Sequence, residues 1–126
     1  MSLSDFFASG RLGLSYELFP PKTARGEGNL VEQVGQLLQF APDFITCTYG
    51  AGGSTRQKTL EILGRVQQLA GLPVASHLTV VGSTVDELRL YLESAARQGV
   101  DYIVALRGDP PAGSVSFEAV DGGLRY

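Results

Sequence analysis

The sequence predicts an α/β fold built on a parallel sheet, and three observations carry that prediction. Short apolar runs of strand length alternate with longer stretches whose apolar residues recur at helical spacing. The short runs centre near residues 15, 45, 76 and 104, a repeat of about thirty residues and so one βα unit. Repeated βα units join their strands by right-handed crossovers, which makes the sheet parallel. Two architectures fit: a doubly wound open sheet, or part of a closed (β/α)8 barrel. Periodicity alone leans towards the open sheet, because four strands cannot close a barrel.

The first strand is read over Leu12–Leu18 and is stopped by Pro20 and Pro21, which lack the donors a ladder needs. Residues 27–40 place Leu30, Val31, Val34, Leu37 and Leu38 on one helical face. Asp43–Thr48 is the second strand. Ser54 is an N-cap candidate for a helix that buries Leu60, Leu63, Val66 and Leu69 and closes at Gly71. Val74–Thr79 is the third strand. Ser83, with Asp86 three residues on, forms a capping-box pattern. The helix it opens carries Val85, Leu88, Leu92, Ala95 and Ala96 and ends at Gly99, and Tyr102–Leu106 is the fourth strand. No helix pattern follows Leu106, so the chain reads as cut within its domain.

Composition excludes several classes of function. With 44% hydrophobic and 18% charged residues, the 126-residue chain is globular rather than disordered. A net charge of −3 with ten scattered basic residues carries no nucleic-acid footprint. No apolar stretch reaches the ~20 residues of a membrane span. Met1–Gly13 lacks the order of a signal peptide, so a cytoplasmic location is expected. The single cysteine, Cys47, can form neither an internal disulfide nor a zinc site by itself, and no metal is expected.

Ligands of parallel βα folds sit at the carboxyl ends of the strands. There the chain places Glu17, then Thr46 and Thr48, then His77, then Arg107, Gly108 and Asp109. Alternation along the strand sets Thr46 and Thr48 on one face and Cys47 on the other. Glu17 is open between a solvated strand-end residue and an acid; burial among its apolar neighbours would raise a carboxyl pKa. His77, the one histidine, is by itself more often a satisfied structural group than a catalyst, and Arg107 with Asp109 can also be read as a surface ion pair of little worth. The Arg107-Gly-Asp109 string also spells an adhesion tripeptide, which a cytoplasmic chain would not use. The turn from Tyr49 to Thr55 lacks both the dinucleotide and the phosphate-loop spacing, and a plain flexible turn is its simpler reading.

Four strings in order resemble the methylenetetrahydrofolate reductase family: Ser15-Tyr-Glu-Leu-Phe-Pro-Pro-Lys22, Thr48-Tyr-Gly-Ala-Gly-Gly-Ser-Thr55, Ser76-His-Leu-Thr79 and Ala105-Leu-Arg-Gly-Asp-Pro-Pro111. The resemblance covers the chain from Leu14 onwards. It implies that residues 1–126 form the N-terminal half of a flavin-binding (β/α)8 TIM barrel, cut after the fourth strand. It further implies FAD as cofactor, NADH or NADPH as reductant, and 5,10-methylenetetrahydrofolate as the substrate reduced to 5-methyltetrahydrofolate. The parent enzyme is expected to be a homo-oligomer. Glu17 matches the catalytic glutamate, a general acid that promotes opening of the folate's five-membered ring. Asp109 matches the aspartate that binds the pterin and adjusts the flavin electrostatically. Thr48, Tyr49, Ala51, His77, Leu106, Arg107 and Gly108 match flavin-contacting positions. Tyr16 and Leu18 depart from the usual phenylalanines, and Cys47 from an aliphatic residue. Two alternatives remain beside this reading: another flavin- or phosphate-ligand barrel enzyme, and a non-catalytic half-barrel that assembles with a partner half.

Overall fold

The structure is a computed structural model that describes residues 2–49, 55–110 and 113–125. In chain order it runs α1 (Leu3–Ala8), β1 (Ser15–Leu18), α2 (Ala24–Leu37) with a 3-10 turn (Leu38–Phe40), β2 (Phe44–Cys47), α3 (Arg56–Ala70), β3 (Val74–Thr79), α4 (Val85–Arg97) and β4 (Tyr102–Leu106). The four strands are all parallel and lie in the order β1-β2-β3-β4.

That order decides between the two architectures. A doubly wound sheet reverses its strand order at a switch point and carries helices on both faces. Here every crossover steps to the next neighbour, so crossovers of one hand leave every helix on one face. Burial agrees: Leu18, Ile45, Cys47, Val74 and Leu78 form one core with Val34, Leu60, Leu63, Val66, Leu88 and Tyr91 from the helices. The opposite face is the concave inner wall of an α/β half-barrel. Ladder partners share a face, and Glu17 pairs with Thr46, Thr46 with Ala75, and His77 with Val104, so this wall carries Glu17, Thr46 and His77.

Several local expectations shift. β1 begins at Ser15, three residues later than the apolar run suggests. Before it, the Asp43 amide donates to the Leu14 carbonyl at 2.7 Å while the Asp43 carboxylate accepts the Leu14 amide at 2.9 Å, so a side chain supplies one of the two bonds, and Leu12 stands almost fully exposed. α1 has no sequence forecast, because six residues are too few to show a helical period. A capping box makes it: Ser2 Oγ accepts from the Asp5 amide and the Asp5 carboxylate accepts from the Ser2 amide. Its Phe6 is buried and edges against Phe44, while the Leu3 amide donates to the Tyr102 hydroxyl. α1 thereby closes the amino-terminal end of the inner wall.

α2 starts at Ala24, capped by Thr23, because Thr23 Oγ1 accepts from the Gly26 amide. In α3 the Leu60, Leu63 and Val66 stripe is buried and Gly71 caps the end in the left-handed region, but Leu69 is half exposed. The expected cap at Ser54 lies outside the described residues. α4 buries Leu88, Tyr91 and Ala95, whereas Val85 and Leu92 are exposed. Tyr91 can go inside because its hydroxyl meets Ser76 Oγ at 2.5 Å, and burial pushes it up to about 12 against that hydrogen bond.

The capping box of α4 sits one residue later than predicted: Thr84 and Glu87 form it, not Ser83 and Asp86. Ser83 is buried and occupied with the Arg56 guanidinium. Thr84→Ala is accordingly expected to lower unfolding free energy by about 1 kcal/mol. Asp86→Ala should stay within about 0.5 kcal/mol. Denaturant midpoints of the two variants check the assignment.

Candidate active site

The carboxyl ends of the four strands build the candidate site. β1 presents Glu17 on the inner wall, with its side chain 47% exposed. The apolar pocket imagined around it is therefore not supplied by these residues: Leu18, its buried neighbour, turns to the helix layer. His77, central on β3, is the better buried partner, 13% exposed, and its Nδ1 lies 3.9 Å from Glu17 Oε1. The structure thus brings together two residues that are sixty positions apart in the chain. Thr46 stands between them on β2, almost buried.

β4 continues its pairing past its own end. The Val80 amide donates to the Leu106 carbonyl and the Val81 amide to the Arg107 carbonyl, which holds the next residues at the mouth. Leu106 lies on the inner-wall side and is exposed. Arg107 places its guanidinium 5.5 Å from the Phe117 ring centroid, a cation–π contact. Among the described residues no ion pair joins Arg107 to Asp109, and Asp109 is exposed. Gly108 has φ +87°, and a Cβ there would lie 2.5 Å from Val81 Cγ1. Only glycine lets this backbone pass so close to the β3 side.

Thr48 and Tyr49 leave β2 in different directions. The Thr48 amide donates to the Leu18 carbonyl, and its own carbonyl accepts from Thr59 Oγ1 at 2.9 Å. Tyr49 turns into the helix layer, edge-on to Tyr91, and its hydroxyl accepts from the Thr79 amide. Ala51 lies outside the described residues, as does most of the glycine-rich turn. Cys47 points away from the mouth into the core, and burial pushes its thiol up to about 12, with the Glu17 charge adding to the effect. The folded thiol therefore stays protonated at pH 8, and the stability tied to this is lost only as pH climbs from the ordinary thiol range towards 12. A thiol reagent such as Ellman's is expected to leave Cys47 unmodified at pH 8 until the protein is denatured.

Arg56 is a residue that sequence reasoning passed over. It opens α3, a position where the helix dipole disfavours a cation, and that conflict was the available signal. Its guanidinium stacks 5.3 Å from the Tyr49 centroid and donates to Ser83 Oγ. It thereby ties the loop after β2 to the loop after β3. Two open clefts lie at the other end of the sheet, lined by residues such as Phe6, Arg11, Pro73 and Tyr102. That end carries structure rather than chemistry in βα folds. Among the described residues no group of three or more metal-ligating side chains gathers, and no helix is long and apolar enough to cross a membrane.

A family model described as methylenetetrahydrofolate reductase matches residues 2–126. Methylenetetrahydrofolate reductase (NADH) 1 of Zea mays is 41% identical over 115 residues, which are 91% of this chain and 19% of that protein. 5,10-Methylenetetrahydrofolate reductase of Escherichia coli is 39% identical over 105 residues, 83% of this chain and 36% of that protein. Methylenetetrahydrofolate reductase 2 of Saccharomyces cerevisiae is 33% identical over 120 residues, 94% of this chain. The chain spans about a fifth of the plant relative and about a third of the bacterial one.

Proposed function

Because the chain belongs to the methylenetetrahydrofolate reductase family, we propose that its protein reduces 5,10-methylenetetrahydrofolate to 5-methyltetrahydrofolate with electrons from NADH or NADPH carried by FAD. The observation that carries this reading is the convergence of Glu17, His77 and the Arg107–Asp109 segment on the carboxyl-terminal mouth of one concave wall. The residues suit a flavin. Gly108 leaves bare backbone, Leu106 offers an exposed apolar side chain on the wall, and Arg107 offers a permanent cation for phosphate. Thr48 and His77 complete the described set, with Tyr49 contributing main chain, since its ring is committed to the helix layer, and Ala51 lies outside the described residues. The chemistry FAD supplies when bound is hydride transfer from nicotinamide to folate.

The chain's own part is proton and charge control. Glu17 holds a proton and delivers it to a nitrogen of the folate's five-membered ring, so that the carbon–nitrogen bond to the bridging methylene breaks. The electron pair of that bond leaves with the protonated nitrogen. The second ring nitrogen then shares its lone pair with the methylene carbon, and the resulting iminium carbon accepts the hydride. Asp109 carries a negative charge that favours this cation and accepts hydrogen bonds from the pterin.

The full-length protein, purified and loaded with FAD, should be yellow, bleach on addition of NADH or NADPH, and recover its colour with 5,10-methylenetetrahydrofolate. Failure to retain flavin under any loading condition would remove the reading. Expressed by itself, the 126-residue chain is expected to self-associate or fold poorly and to hold FAD weakly, because β1 and β4 present unpaired edges. Size-exclusion chromatography checks this; a monodisperse, yellow monomer would contradict it.

A further inference from the structure

Glu17 and His77 face each other across β2 because the residues between them are small. Glu17 is level with Thr46, and Thr46 with Ala75, so one row of the inner wall reads Glu, Thr, Ala. His77 sits two residues further along β3, on the same face as Ala75. Thr46 and Ala75 are both nearly buried and leave room for the longer side chains to meet above them. The imidazole is the fixed member, 13% exposed against 47% for the carboxyl. Among the described residues Glu17 is the acidic group within ion-pair reach of it.

We propose that His77 is a positioning residue for Glu17: its Nδ1–H holds Oε1, which leaves Oε2 to carry the proton and turn it towards the substrate. This rests on the reading of Glu17 as proton donor. The separation of 3.9 Å is just beyond a hydrogen bond, and such contacts in ligand-free sites shorten when substrate closes over them. A half-exposed glutamate at a strand end otherwise samples several rotamers, few of which aim a proton at one nitrogen. The bond also strengthens as negative charge develops on Glu17 during proton transfer. His77 therefore acts on the rate of the folate step more than on folate affinity.

The test uses the FAD-loaded full-length protein and measures its two half-reactions separately. His77→Ala is expected to slow flavin reoxidation at saturating folate by about tenfold to a hundredfold, the scale of a misplaced catalytic group. Because His77 also stands in the flavin-binding set, loss of that contact should lower both half-reactions alike, and the folate step is expected to fall about tenfold or more beyond any fall in reduction by NAD(P)H. His77→Asn places an amide N–H near the Nδ1 position and is expected to recover most of the loss. In Glu17→Gln the further change His77→Ala should cost little, since the group it positions no longer holds the proton. Equal losses in both half-reactions, no rescue by Asn, or full multiplication of the two losses would each overturn the pairing. Should Glu17→Gln leave the folate half-reaction at full rate, the proton-donor reading itself falls. A Glu17→Gln deficit uncoupled from His77 overturns only the pairing.

Discussion

Glu17→Gln in the FAD-loaded full-length protein is expected to slow reoxidation of the flavin by folate about 10²–10⁴-fold, the usual worth of a positioned general acid. Reduction of the flavin by NAD(P)H should stay within a few-fold of the unmodified protein. The substitution is isosteric, keeps an oxygen to face His77, and replaces the acidic oxygen with an amide nitrogen that cannot serve as a general acid. With its side chain 47% exposed, Glu17 contributes little to the core, so folding should be unaffected. Stopped-flow absorbance of each half-reaction reads the split directly. A parallel loss in both would mark Glu17 as structural, because only the folate step needs an acid.

Gly108→Ala is expected to produce the largest loss of stability among single changes at the mouth. Holding a residue with a Cβ at φ +87° costs about 1–2 kcal/mol. The new carbon would also lie 2.5 Å from Val81 Cγ1 and 3.1 Å from Thr79 Cβ, and such overpacking typically costs about 1–3 kcal/mol. The expected total is about 2–5 kcal/mol. Relief requires residues 107–109 to move away from β3, at the expense of the bond from the Val81 amide to the Arg107 carbonyl. Arg107 and Asp109 would leave the mouth with it, so flavin retention should fall together with the melting temperature. Gly113→Ala is the control: its φ is +88°, yet nothing lies within 4 Å of a Cβ there. It should show only the backbone penalty. Thermal unfolding and flavin titration of both variants decide the matter, and equal stability of the two would contradict the close-contact argument.

Much of the fold was legible because its signals are local. β3 and β4 occupy Val74–Thr79 and Tyr102–Leu106, the spans that their apolar runs suggest. The cap of α4 was ambiguous by one residue, since Ser83-Thr84-Val85-Asp86-Glu87 holds two overlapping capping boxes. Burial of Ser83 against Arg56 selects the second, and that is a tertiary fact. The choice between open sheet and half-barrel likewise depended on strand order, which periodicity does not carry. At the site, the residue types at the strand ends were readable, but their company was not. The Glu17–His77 approach needs β1 and β3 to flank β2 in a particular register with small residues between them. Tyr49 is a different case: the alternation that sends Cys47 inward sends Tyr49 the same way, so its turn to the helix layer was available from the sequence. The exposure of Glu17 is likewise not a local property, since it follows from the open concave face.

The most direct measurement of the central claim is a single turnover. The full-length protein, its flavin reduced with NAD(P)H, is mixed with 5,10-methylenetetrahydrofolate in the absence of oxygen. The account predicts that the flavin absorbance returns and that one equivalent of 5-methyltetrahydrofolate forms per flavin. A flavin that stays bleached, with the folate recovered unchanged, would contradict it.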